Sequence, residues 1–277
     1  MSRVWMITGA GRGLGRAFAE EAVNRGDKVI AGVRKVPQDD PLFQDENVLP
    51  VIMDVTDQNA VNAAVKVGVQ KFGRIDVLVN NAGFGMSGAF EETSDVELRM
   101  IMDTNFFGTA NVTRAVIPVM REQKSGMILS VSSQAGTMGF LGSTAYCSSK
   151  YAVVGLMDAL GMELKGFGIQ VSSILPGSFR TDFRDPSSMK FAGGNLSAYD
   201  NTPLRDVRDF LTVNNHKQEG DPVKAAAFIY EIVSRGDLPK RIHIGGKCCS
   251  QVKEYLMERV AEIDSYIEAS SETDSEL

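Results

Sequence analysis

"VWMITGAGRGLG", Val4 to Gly15, decides how the rest of the chain is read. Its first half, "VWMITG", is a short apolar run of strand type. Its second half, "TGAGRGLG" from Thr8 to Gly15, sets four glycines in eight residues. Glycine lets a backbone turn sharply and approach a ligand with no Cβ in the way. A helical pattern begins near Leu14, so the first-turn amides aim back at that turn, and a pyrophosphate is its natural occupant. The dinucleotide pattern G-x-G-x-x-G is not met. From Gly9 the third glycine falls on Leu14, and from Gly11 on Arg16; the spacing is T-G-x-x-x-G-x-G instead. The plain alternative is a tight connector between a strand and a helix.

Working outward, the same alternation continues. "KVIAGVR" (28–34), "VLPVIMDV" (48–55), "IDVLVNNAG" (75–83), "GMILSVSS" (126–133), "IQVSSILPG" (169–177) and "KRIHIGG" (240–246) read as further strands. Nearly continuous apolar strands belong to a parallel sheet covered on both faces. Helical patterns fall near 14–25, 57–72, 94–122, 146–166, 221–235 and 248–268. The expectation is a Rossmann-type doubly wound α/β fold of about seven strands, in one domain over 1–264. Residues 178–220 break the rhythm with a polar, Gly-, Pro-, Asn- and Asp-rich insertion, which at that length is functional or disordered. The acidic tail, 265–277, is expected to fray.

Bulk properties exclude several partners. Of the 277 residues 43% are hydrophobic, net charge is −6 and the pI is about 5.1, with no basic block. That argues against nucleic acid or an anionic membrane surface. No apolar run reaches the ~20 residues of a membrane span. The opening residues carry no signal-peptide pattern, and Cys147, Cys248 and Cys249 make no disulfide framework, so a cytoplasmic location is expected. His216 and His243 stand far apart in sequence, so no metal site is expected.

The second strand ends "AGVRK". An acid near there binds the ribose 2′-hydroxyl of NAD, but these positions hold Val33 and Arg34. Arg12, inside the glycine turn, adds a second cation. Arginine recognises phosphate with a planar fork, so NADP(H) is preferred over NAD(H). Asp39 and Asp40, beyond Pro37, are the reserve acids for NAD.

"YCSSK", Tyr146 to Lys150, places a phenol and an amine at i and i+4, one above the other on a helix. An ammonium that close is expected to favour the phenolate. Alone, the pair is as well read as an interfacial tyrosine and a solvated lysine.

Together these pieces resemble the short-chain dehydrogenase/reductase family, in order, from Val4 to about Gly246. "TGAGRGLG" is similar to its cofactor turn, with Gly9, Arg12, Gly13, Leu14 and Gly15 against the dinucleotide. "MDVTD" resembles the adenine-contacting segment, with Asp54 as side chain and Val55 as backbone. "NNAG" (80–83), with Asn81, resembles the segment supporting the adenosine. Asn105 in "DTNFFGT" matches a helix asparagine, Ser133 lies thirteen residues before Tyr146, and "PGSFRT" with Pro176, Gly177 and Thr181 resembles the stretch closing over the nicotinamide. The resemblance implies that Tyr146 is general acid or base, and that Lys150 lowers its pKa and binds the nicotinamide ribose. It further implies that Ser133 holds the substrate oxygen and Asn105 a water leading to Lys150. Residues 178–220 become a substrate lid. Hydroxysteroid and retinol dehydrogenases and many bacterial oxidoreductases form the branch it most resembles.

The apolar side chains of that lid (Phe179, Phe183, Met189, Phe191, Leu204 and Phe210 among them) lead to an expected ketone or aldehyde and alcohol pair on a bulky apolar skeleton, of steroid, retinoid or acyl type. About half of them are expected only to pack the lid down. A small-carbonyl reductase, a non-catalytic NADP-binding regulatory module and a nucleotide-sugar epimerase are the alternatives. Homodimers or homotetramers are implied by the resemblance.

Overall fold

The computed structural model describes residues 2–275. Seven strands form one parallel sheet: β1 (Val4–Thr8), β2 (Lys28–Val33), β3 (Val48–Ile52), β4 (Val77–Asn80), β6 (Gly126–Val131), β7 (Ile169–Pro176) and β9 (Arg241–Ile244). Their order across the sheet is β3-β2-β1-β4-β6-β7-β9. Two short strands, β5 (Gly85–Ser87) and β8 (Met189–Phe191), pair in parallel apart from it, with Gly85 opposite Met189. The helices are α1 (Gly13–Asn24), α2 (Pro41–Gln44), α3 (Gln58–Phe72), α4 (Asp95–Met102), α5 (Gly108–Gln123), α6 (Thr144–Leu164), α7 (Pro203–Val213), α8 (Pro222–Arg235), α9 (Gly246–Asp264) and α10 (Ile267–Ser271).

Burial explains the layering. Every residue of β1 is buried, as are all of β4 and all but one of β7. One face of the sheet packs Phe18 and Ala22 of α1 against Ile229 and Val233 of α8. The other packs Val61 and Val65 of α3, Val112 and Met120 of α5, and Val153 and Met157 of α6. Strand order reverses between β1 and β4, and in doubly wound sheets the crevice at that reversal is where ligands bind.

The span read as one helix over 94–122 is two, joined by a π turn at Asp103–Phe107. Such single turns recur at functional sites, and this one carries Asn105. The 178–220 insertion is structured: it contains β8 and α7. Its two ends close on each other, Arg180 N donating to Gly220 O at 2.8 Å and Gly220 N to Ser178 O at 3.1 Å. Of the acidic tail expected to fray over 265–277, the part Ile267–Ser271 forms the exposed helix α10, and residues 276–277 lie outside the described residues.

Candidate active site

The glycine turn is built around Asn81. Its backbone N–H donates to Thr8 Oγ1 at 2.9 Å, and its amide donates to Thr8 O at 3.0 Å and Gly9 O at 3.3 Å. Gly9 and Gly13 hold φ of 67° and 59°, the left-handed region that glycine adopts without penalty. Gly15 meets a different limit, since a Cβ there would lie 2.3 Å from Asn81 Nδ2 and 2.5 Å from Gly9 O. Leu14 packs its side chain into the core beneath. Helices α3 and α8 cap their first turns with Asp57 and Asp221, whereas α1 has no side-chain cap at Arg12. Its first amides stay open toward the turn. Thr181 sits over the turn, its Cβ 3.5 Å from where a Cβ on Gly13 would stand.

Arg34 is exposed at the end of β2, and its charge helps hold the Asp54 carboxyl below its usual range, after the hydrogen bonds from Thr56. Those bonds run to Asp54 Oδ1 from Thr56 N at 2.9 Å and Thr56 Oγ1 at 2.7 Å. Val55 is buried and its carbonyl accepts from Asn111 Nδ2 at 3.1 Å. Asp40, a reserve acid for NAD, is already engaged: Arg16 grips both its oxygens, one of them at 2.9 Å. The Arg12 guanidinium does not join Arg34. It donates to Ser187 of the insertion, to Oγ at 2.5 Å and to O at 3.2 Å.

Ser133 closes the strand β6, and its Oγ accepts from Ala135 N at 3.1 Å, capping a short turn. From α6 come Tyr146 and Lys150. Burial pushes the Tyr146 phenol up to about 12, and a hydrogen bond with the Ser133 side chain offsets part of the rise. Lys150 is buried at 4% exposure, its Nζ donates to Val131 O at 2.9 Å, and burial brings it down to about 8. Burial acts on both groups and favours the neutral form of each. Nζ stands 5.8 Å from the Tyr146 ring centre.

Asn105 reaches the same place from the π turn. A Cβ on Gly83 would lie 2.9 Å from Asn105 Oδ1 and 3.5 Å from Lys150 Nζ. Oδ1 accepts from Phe84 N, and Nδ2 donates to Phe84 O and Ser149 Oγ, each at 3.0 Å. The side chain therefore braces the loop after β4 against α6. Pro176 ends β7, and Gly177 N donates to Ile244 O at 3.0 Å, with Cys248 packed where a Cβ would point.

Three comparisons bear on this arrangement. A family model described as short chain dehydrogenase matches residues 3–190. This chain belongs to the short-chain dehydrogenase family. Among its relatives, the oxidoreductase BOA17 of Botryotinia fuckeliana is 39% identical over 248 residues, 88% of this chain and 89% of that one. A 3-ketodihydrosphingosine reductase of Bacteroides thetaiotaomicron is 35% identical over 244 residues, covering 88% of each chain. The crystal structure of a short-chain dehydrogenase from Streptomyces avermitilis is 36% identical with a TM-score of 0.91, over 99% of this chain and 100% of that one. As a short-chain dehydrogenase the protein is an NAD(P)-dependent oxidoreductase. The residues present fit such a cofactor: a glycine turn with Gly9 and Gly13 in the left-handed region, packed tightly on Asn81, and an uncapped helix start beside it.

The insertion lies over this dehydrogenase's candidate centre. The Phe183 ring stands 5.9 Å from that of Tyr146. Met189 and Phe183 both crowd Gly85, and Leu204 of α7 abuts Gly142. Other apolar lid residues face away: Leu196 and Phe210 are exposed, and Phe179 packs on Gly220 and Gly245. The fastenings were not foreseen. Glu92, nearly buried, accepts from both Arg205 Nη groups at 2.7 and 3.1 Å and from Leu196 N at 2.7 Å. Glu97 accepts from Gly193 N at 3.0 Å, and Tyr199 donates to Glu91. The sequence signal was there in "FEETSDVE" (90–97), where acids cluster just after the "NNAG" loop. Asp182 and Asp185, three residues apart, and His216, distant from both in sequence, also gather on the lid with ligand atoms within 4.8 Å. Asp185 Oδ1 is there engaged by Asn215 at 2.5 Å and His216 at 3.1 Å.

Proposed function

We propose that the protein is an NADP-preferring carbonyl reductase or alcohol dehydrogenase acting on a bulky apolar ketone or aldehyde. The observation that carries this is the convergence of Tyr146, Ser133 and Lys150 at the carboxyl ends of β6 and α6's partner strands, beneath Phe183. The nicotinamide cofactor supplies or accepts the hydride when bound. Tyr146, kept protonated well above neutral pH, gives its proton to the substrate oxygen. Ser133 donates a second hydrogen bond to that oxygen as charge develops there. Lys150 binds the cofactor's ribose hydroxyls and stabilises the phenolate left behind. Asn105 positions the loop that separates it from Lys150. A phenol set as an acid suits the direction of reduction.

Gly9, Gly13, Leu14 and Gly15 take the pyrophosphate with the open amides of α1, while Asn81 holds their turn in shape. Asp54 and Val55 face the adenine, and Pro176, Gly177 and Thr181 flank the nicotinamide side. Arg34 and Arg12 take the 2′-phosphate. The engagement of Asp40 by Arg16 supports this choice, because it occupies one of the two reserve acids that could bind a 2′-hydroxyl. Bulk and apolarity of the substrate are supported by Phe84, Met86, Phe183 and Met189 around the site, and by the name of the 3-ketodihydrosphingosine reductase among the relatives. We take 1–264 as one domain with 178–220 as its lid. Phe107 and Met162, exposed on the π turn and α6, support a homodimer or homotetramer. No helix among the described residues is long and apolar enough to cross a membrane, in keeping with the proposed cytoplasmic location.

The test is a substrate panel read by NADPH oxidation. Steroid, retinoid and long-chain acyl ketones should be turned over in preference to small polar ones. Turnover of small polar ketones alone would remove the substrate reading. Arg34→Asp should lower the preference for NADPH over NADH, and an unchanged ratio would remove Arg34 from its role.

A further inference from the structure

We propose that Ser187, on the lid, is a cofactor-specificity residue: it holds the Arg12 guanidinium on the lid side and so competes with a 2′-phosphate for it. The inference rests on the reading of Arg12 and Arg34 as the 2′-phosphate site.

Arg12 stands between two destinations. Its backbone is fixed, since it precedes α1 and its carbonyl accepts from Arg16 N at 3.2 Å. Only the side chain is free to move. On one flank Gly11 lies against Val33, 3.6 Å from where its Cβ would stand, and Arg34 follows directly. On the other flank Gly13 lies against Thr181, six residues before Ser187. The guanidinium occupies the second flank, with one Nη on Ser187 Oγ at 2.5 Å and the other on Ser187 O at 3.2 Å.

Both acceptors are neutral, whereas a 2′-phosphate is a dianion that can take an arginine in a bidentate ion pair. The phosphate therefore wins the arm, but against the contacts it displaces. Apparent affinity is reduced by the fraction of molecules in which the arm is parked on the lid. A nucleotide without the 2′-phosphate never calls on Arg12 and escapes this penalty. Ser187 thus tempers the preference for NADP(H) without touching the nucleotide.

The experiment compares native protein with Ser187→Ala, whose site is exposed, so the fold is undisturbed. Binding of 2′,5′-ADP and of 5′-AMP is measured by titration calorimetry, and of NADPH and NADH by fluorescence. Loss of one exposed hydrogen bond to a neutral acceptor should tighten 2′,5′-ADP and NADPH by ~3- to 10-fold, with 5′-AMP and NADH unchanged. In an Arg12→Ala background the same serine change should give no gain. Equal or weaker 2′,5′-ADP binding by Ser187→Ala overturns the inference while the phosphate site stands. If native protein binds 2′,5′-ADP no better than 5′-AMP, the phosphate reading fails first and this inference falls with it.

Discussion

Strand β7 and helix α7 lie on either side of residue 177 and are made by different physics. Seven of the eight residues of β7 are buried, whereas no residue of α7 is. The sheet is held by apolar area, which is non-directional and large in sum. The lid is held by a few polar fastenings: Glu92 with Arg205, Glu97 with Gly193, Arg12 with Ser187, and three residues of parallel strand pairing. A region held by few buried contacts opens at low cost, and active-site lids come from that end of the stability range. The rigid half can therefore keep the catalytic groups in register while the covering half lets a bulky substrate in.

Breaking the rigid half should give the larger effect. Gly15→Ala drives a Cβ into Asn81 and the Gly9 carbonyl, an overpacking that costs about 1–3 kcal/mol. The misplaced turn should lower kcat/KM by about 10²-fold, with a lower thermal midpoint. Gly139→Ala, where an added Cβ meets nothing within 4 Å, is the control and should be silent in both assays. Equal behaviour of the two variants would remove the cradle from the account.

On the lid side, Glu92→Gln keeps the shape and removes the charge that Arg205 grips. The sheet should stay folded by circular dichroism, while limited proteolysis within 193–205 quickens by ~10-fold, the scale of one lost charge-assisted bond. Global unfolding instead would show that the lid and sheet are one cooperative unit.

The difference between the halves also explains what could be read from sequence. Apolar runs such as "IQVSSILPG" announce their own burial, and the glycine turn announces a close approach, so all seven sheet strands and the crevice were legible. The lid was not, because α7 and β8 are stabilised by partners far away in sequence, such as Glu92 for Arg205 across more than a hundred residues. The π turn escaped for a related reason: "MDTNFFGT" has an unbroken helical pattern, and its widening shows only in space. The i, i+4 spacing shows that Tyr146 and Lys150 are close, but not how deeply both are buried.

The smallest expected effect concerns that pair. Burial brings the Lys150 ammonium down to about 8, so it is present below that pH and lost above it. NADPH affinity should be level from pH 6.5 to about 7.5 and weaken as pH rises through about 8. A flat profile to pH 9.5 would separate Lys150 from cofactor binding.

Tyr146→Phe, assayed with NADPH and any ketone the native enzyme reduces, bears most directly on the central claim. The account predicts that the fold and NADPH affinity are kept and that kcat falls by at least ~10²-fold. Turnover near the native rate, with NADPH bound as before, would contradict it.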